Sequence, residues 1–157
     1  MSTMALQQLS WLGESLASGA MVDKPKRLEA AKLIEDFLAC RITNFQYDDR
    51  YPRSAGDPAL FAIYSMLWFA YSDVREHRMN GKQALNDEGR RLADQCILFL
   101  QTENEYHGPK NFVSLSAPFR KISYWLRRKS PPELIGPAWP FDDANQLEAA
   151  RSAAFQS

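Results

Sequence analysis

The hydrophobic pattern has one stretch with no polar face. From Leu60 to Tyr71, the residues Phe61, Ile63, Tyr64, Met66, Leu67, Trp68, Phe69 and Tyr71 surround any helical axis drawn through them, with Ser65 the sole polar interruption. A helix that is apolar on every side must be covered on every side. Its start is well marked: Asp57 is a good N-cap, and Pro58 follows at the first helical position, where a missing N–H costs nothing. Polarity returns at Asp73, Arg75, Glu76 and His77, and Asn80-Gly81 supplies a stop. The pattern predicts a central aromatic helix over 57–79.

Amphipathic segments flank it. Leu6, Leu9, Leu12 and Leu16, followed by Gly19, predict a first helix. A second opens at Asp23 with Pro25 in its first turn and runs to about Ile42; its stripe of Ala30, Ile34, Phe37 and Leu38 is widened by Leu28, Ala31 and Leu33. Residues 44–56 read as a polar break carrying Phe45, Tyr47 and Tyr51, which either pack on the body or present a contact surface. Asn86 caps a helix over 86–106 whose buried face is Leu92, Ala93, Cys96, Ile97, Phe99 and Leu100. The short link before it predicts an antiparallel hairpin of helices 57–79 and 86–106.

Beyond Gly108-Pro109 the pattern loosens. Lys121 to Lys129 predicts a short amphipathic helix with Ile122 and Trp125 on one side. Pro131, Pro132, Pro137 and Pro140 impose an extended segment over 131–141. Asp143 with Gln146 then marks a last helix, whose thin apolar face of Leu147 and Ala150 requires docking. The fold class predicted is all-α: an irregular bundle of five to six helices around the aromatic helix, in a single domain spanning 1–157.

Composition fits that picture. Hydrophobic residues make up 45% and charged ones 24%, the profile of a folded, soluble protein. Nineteen acidic residues balance 19 basic ones. Zero net charge gives no global attraction to nucleic acid or anionic lipid, and it weakens self-repulsion, which favours a homodimer. Cys40 and Cys96 fall on helical apolar stripes and read as buried free thiols. Met1 to Ala20 lacks a signal-peptide pattern, and no run reaches the roughly 18 apolar residues of a membrane span, so the expected location is cytoplasmic with no membrane partner.

Chemistry is sparse. Asp73 precedes His77, and Glu103 precedes His107, by four residues, which on a helix places each pair on one face. In the predicted hairpin the two histidines lie about 30 Å apart, so they do not share a metal. Asp73, Glu76 and His77 remain as metal candidates, against the plainer interaction of a histidine with a helix C-terminus. There is no Gly-x-Ser-x-Gly elbow, phosphate loop or cysteine cluster, so neither enzymatic activity nor a cofactor is expected. Residues 110–129 carry Arg120, Lys121, Arg127 and Arg128 among aromatics and no carboxylate, a pattern suited to an acidic protein surface and less to nucleic acid. Trp139, held between prolines, is either a clamp on the core or an interface anchor.

These features predict a non-catalytic protein-binding domain of the regulatory or toxin-neutralising (immunity) type common among small bacterial proteins. Its candidate contacts are Tyr47, Tyr51, Arg120, Lys121, Arg127, Arg128 and Trp139. The alternatives are a small-ligand or metal-binding protein using the end of helix 57–79, and a nucleic-acid binder using 110–129.

Overall fold

Asp23 accepts a hydrogen bond from the Lys26 backbone N–H (3.3 Å) and starts α1, Lys24–Leu38, with Pro25 in the first turn as expected. The computed structural model describes residues 21–68, 70–72, 74–108 and 135–156. The helices expected around Leu6–Leu16 and Lys121–Lys129 lie outside the described residues, as do Pro131 and Pro132. Among the described residues there are five α-helices, one short 3₁₀ turn and no strand.

α1 ends at Leu38, short of Ile42. The Cys40 N–H bonds the Phe37 carbonyl (3.0 Å) and the Arg41 N–H bonds the Asp36 carbonyl (2.8 Å), with Cys40 at φ 60° between them. This is the helix-terminating pattern usually built on glycine. Cys40 therefore sits in a left-handed turn, half-buried, and not on a helical stripe.

The segment read as a break contains a helix, α2, Asn44–Arg50. Thr43 and Gln46 form a complete capping box, each side group taking the other's backbone N–H. α2 turns Tyr47 into the centre of the core. Tyr47 stacks on Phe37 (4.8 Å between centroids) and meets Tyr51, Tyr64 and Tyr71 at 5.4, 6.2 and 5.8 Å.

α3, Pro58–Trp68, is the aromatic helix, and residues Ala59–Leu60 and Ala62–Leu67 are buried along it. It is covered nearly all round, as its composition requires. It stops at Trp68, not at residue 79. The cause is Asn44, fully buried, whose amide captures the following backbone. Its Nδ2 donates to the carbonyls of Ser72 (2.8 Å) and Arg75 (3.0 Å), and its Oδ1 accepts from the His77 N–H (2.8 Å). Its own N–H reaches the His77 carbonyl (3.0 Å). Backbone groups satisfied in this way have no need of helical partners.

A 3₁₀ turn, Gly81–Gln83, precedes α4, Asp87–Leu100, which Asn86 caps by accepting from the Gly89 N–H (2.8 Å). α4 ends at Leu100, not 106. The Gln101 N–H is shared between the carbonyls of Ile97 and Leu98, and the Thr102 hydroxyl donates to the Phe99 carbonyl (2.7 Å). The two helices of the expected hairpin are therefore shorter, and residues 69–86 connect them. They do pack together, but the most extensive contact is between α1 and α4. α5, Ala144–Ala154, is capped by Asp143 and docks on α4 through Leu147, its one buried residue. Gln146 Oε1 accepts from the Asp142 N–H, so the expected box closes one residue early.

Candidate functional site

The site lies between α4 and the C-terminal segment. Gln95, buried on α4, donates through Nε2 to the carbonyls of Pro137 (3.1 Å) and Trp139 (3.0 Å), satisfying a stretch that its prolines keep out of regular structure. Trp139 donates from Nε1 to the Tyr106 hydroxyl (3.0 Å), and Phe141 meets Phe99 edge-on at 5.1 Å. Trp139 is thus a clamp on the core, 4% exposed, and not a surface anchor. These contacts hold α5 across α4 and leave two hollows.

The larger hollow, about 490 Å³, has Trp139, Phe141 and Leu147 in its wall, with Arg91 and Arg151. The second, about 410 Å³, follows the polar face of α4 from Asp87 to Leu98. Arg91 and Arg151 line both, so the two hollows adjoin at these guanidiniums. Among the described residues, Arg91 reaches only Gln95 Oε1 (3.4 Å) and Arg151 only Glu148 Oε2 (3.5 Å). Each guanidinium carries five N–H donors, so most remain unused. The Asp94 carboxyl is raised above its ordinary range by loss of water, against the pull of Arg90.

His107 borders the larger hollow. Its Nδ1 lies 2.9 Å from Asp142 Oδ2, and its Nε2 lies 3.6 Å from Glu105 Oε2. Asp142, and after it Glu105, raises the imidazole above its ordinary range. The Asp142 carboxyl is lowered by His107 and by Gln146, which donates from Nε2 at 3.1 Å. Asp143 is occupied by the Gln146 N–H at 2.9 Å. Among the described residues both carboxylates in this wall are engaged, whereas the two guanidiniums have one partner each.

Other candidates fall elsewhere. Tyr47 and Tyr51 are core residues, 0% and 5% exposed, and offer no contact surface; of the three aromatics in that segment Phe45 alone is exposed. Arg120, Lys121, Arg127, Arg128 and Asp73 lie outside the described residues. Glu76 accepts from the Thr43 hydroxyl (2.7 Å), and His77 Nδ1 meets the Arg75 carbonyl (2.8 Å). Neither histidine lies on a helix, so the four-residue spacing to Asp73 or Glu103 aligns nothing. Among the described residues no three His, Cys, Asp or Glu residues group as metal ligands. Cys96 is buried and its thiol is pushed up by that burial, which disfavours the nucleophilic thiolate. No helix among the described residues is long and apolar enough to cross a membrane.

Local sequence patterns carried no sign of Arg91, Arg151 or the His107–Asp142 pair, because only the docking of α5 on α4 brings them together. No protein-family model, curated protein or solved structure matches this protein.

Proposed function

We propose that this protein is a non-catalytic binding domain that seats a segment of a partner protein in the groove between α4 and α5. An acidic residue of that segment sits on Arg91 and Arg151. The observation carrying this reading is the sharing of two under-used guanidiniums by adjoining hollows. Along α4 alone, from Asp87 to Leu98, the groove runs about 16 Å at 1.5 Å per residue. That length suits two to three turns of a partner helix better than a compact metabolite. Guanidinium forks match carboxylates bidentately, which suits Arg91 and Arg151 to an acidic side chain of the partner. Regulators and toxin-neutralising proteins act by this kind of occupancy.

The reading is tested by selecting a random peptide display library on the full-length protein, then on the R91E/R151E double variant. Peptides carrying Asp or Glu are expected from the first selection and lost from the second. Failure to enrich any peptide, or enrichment that survives both substitutions, overturns the proposal.

A further inference from the structure

The connection between α3 and α4 carries a reactive pair that the groove does not involve. Asn80 is exposed and is followed by Gly81. Among the described residues neither the Asn80 carboxamide nor the Gly81 backbone N–H has a hydrogen-bond partner. Gly81 stands at φ +52°, and nothing lies within 4 Å of the place a Cβ would occupy. The other asparagines among the described residues differ. Asn44 is fully buried with its amide engaged, Asn86 is tied to the Gly89 N–H, and Asn145 lies inside α5. Asn104 is followed by the bulkier, acidic Glu105.

We infer that Asn80 is a site of spontaneous modification, deamidating through a cyclic imide with Gly81 while the protein remains folded. The Gly81 backbone nitrogen gives up its proton and attacks Asn80 Cγ. The bond from that nitrogen to Cγ forms, the Cγ–Nδ2 bond of Asn80 breaks, and ammonia leaves with the proton returned to it. Water then opens the ring at either carbonyl, giving aspartate or isoaspartate. Water is the only co-reactant, and glycine exposes the attacking nitrogen because it has no Cβ to shield it.

The native turn opposes this step weakly. Asn80 has ψ 167°, and the residue must rotate to bring the Gly81 nitrogen to Cγ. Rotation releases the bonds from Gln83 N–H to the Asn80 carbonyl (2.9 Å) and from Ala84 N–H to the Gly81 carbonyl (3.2 Å). A single 3₁₀ turn, exposed at Gly81 and Lys82 and half-buried at Gln83, opens at little cost. The consequence is specific. Either product adds a negative charge between Arg78 and Lys82 on a protein of zero net charge, and isoaspartate lengthens the backbone beside buried Met79.

The test holds the purified full-length protein at mildly alkaline pH, folded and in urea, and follows each asparagine by peptide mass mapping with an isoaspartate-specific methyltransferase. In the folded protein Asn80 is expected to convert at least about tenfold faster than Asn86 or Asn145, a barrier difference of about 1.4 kcal/mol. Urea is expected to change the Asn80 rate by less than about tenfold. Asn80 lagging below that margin, or protected beyond it by the fold, overturns the inference. The G81A variant, followed in urea so that the strain of alanine at positive φ plays no part, is expected to slow conversion; an unchanged rate also overturns it.

Discussion

Arg27 and Asp57 form a two-bonded ion pair removed from water: Nε to Oδ2 at 2.6 Å and Nη2 to Oδ1 at 2.9 Å, with the two residues' charged groups 1% and 0% exposed. Both partners are held by further bonds. Asp57 accepts from the backbone N–H of Asp23 (2.9 Å) and of Ala59 (3.1 Å). Arg27 donates from Nη1 to the Asn104 carbonyl (2.8 Å) and lies 5.2 Å from the centre of the Phe99 ring. The pair therefore joins the starts of α1 and α3 to the segment that leaves α4.

A complete buried pair contributes little net stability, but half of one is costly. Arg27→Met strands the Asp57 carboxylate and is expected to cost about 3–5 kcal/mol. Replacing both members, as Arg27→Met with Asp57→Asn, is expected to cost less than the two single losses added together. Urea unfolding of the three variants measures this coupling, and strict additivity counts against it.

Asn44 makes four hydrogen bonds with the segment after α3, three of them through its carboxamide. Asn44→Ala leaves buried backbone groups unpaired and is expected to cost about 3 kcal/mol. Asn44→Asp cannot donate to the Ser72 and Arg75 carbonyls and is expected to be as damaging. Hydrogen exchange should quicken first at residues 72–77.

Cys40 occupies the left-handed turn that ends α1. Residues with a Cβ pay about 1 kcal/mol or more there, and glycine does not. Cys40→Gly is expected to be more stable than Cys40→Ala by about 1 kcal/mol, the reverse of their order inside a helix. Thermal unfolding of the two variants decides it.

His107 clips the start of α5 to the body by its bond to Asp142. Its folded value is raised, so this contribution is complete below the ordinary imidazole value of about 6.5 and fades as pH rises through the folded value. Asp142 is lowered, so its share is present above the ordinary carboxyl value of about 3.9 and fades as pH falls through its own folded value. The clip is strongest between those limits. As pH rises through the folded value of His107, amides in α5 should exchange faster than the intrinsic rate change explains, and His107→Gln should abolish that excess. Equal protection in both proteins across the titration would refute the clip.

Helix starts were legible in the sequence because caps are local: Asp23, Asn86 and Asp143 each bond an N–H within three residues. Thr43 and Gln46 carried the same signal, masked by the polar run ahead of Pro52 and Gly56. Helix ends were not legible. α3 ends because Asn44, from another helix, takes up the backbone beyond it, and α1 ends on a cysteine where glycine is the usual sign. The groove was hidden for the same reason: Arg91 and Arg151 come to line the same hollows, and His107 meets Asp142, only through tertiary packing.

The packed tyrosines have a consequence at the alkaline end of the scale. Burial raises the phenols of Tyr47, Tyr51, Tyr64, Tyr71 and Tyr106, five of the six in the protein. Below the ordinary phenol value of about 10 both the folded and the unfolded state keep these protons, so stability is indifferent to them. Above it the unfolded state alone sheds them, and every such proton draws the equilibrium toward unfolding. The ultraviolet phenolate signal of these five should therefore not rise gradually as alkali is added. It should appear in one steep step that coincides with loss of helical circular dichroism, so that the aromatic core reports its own collapse.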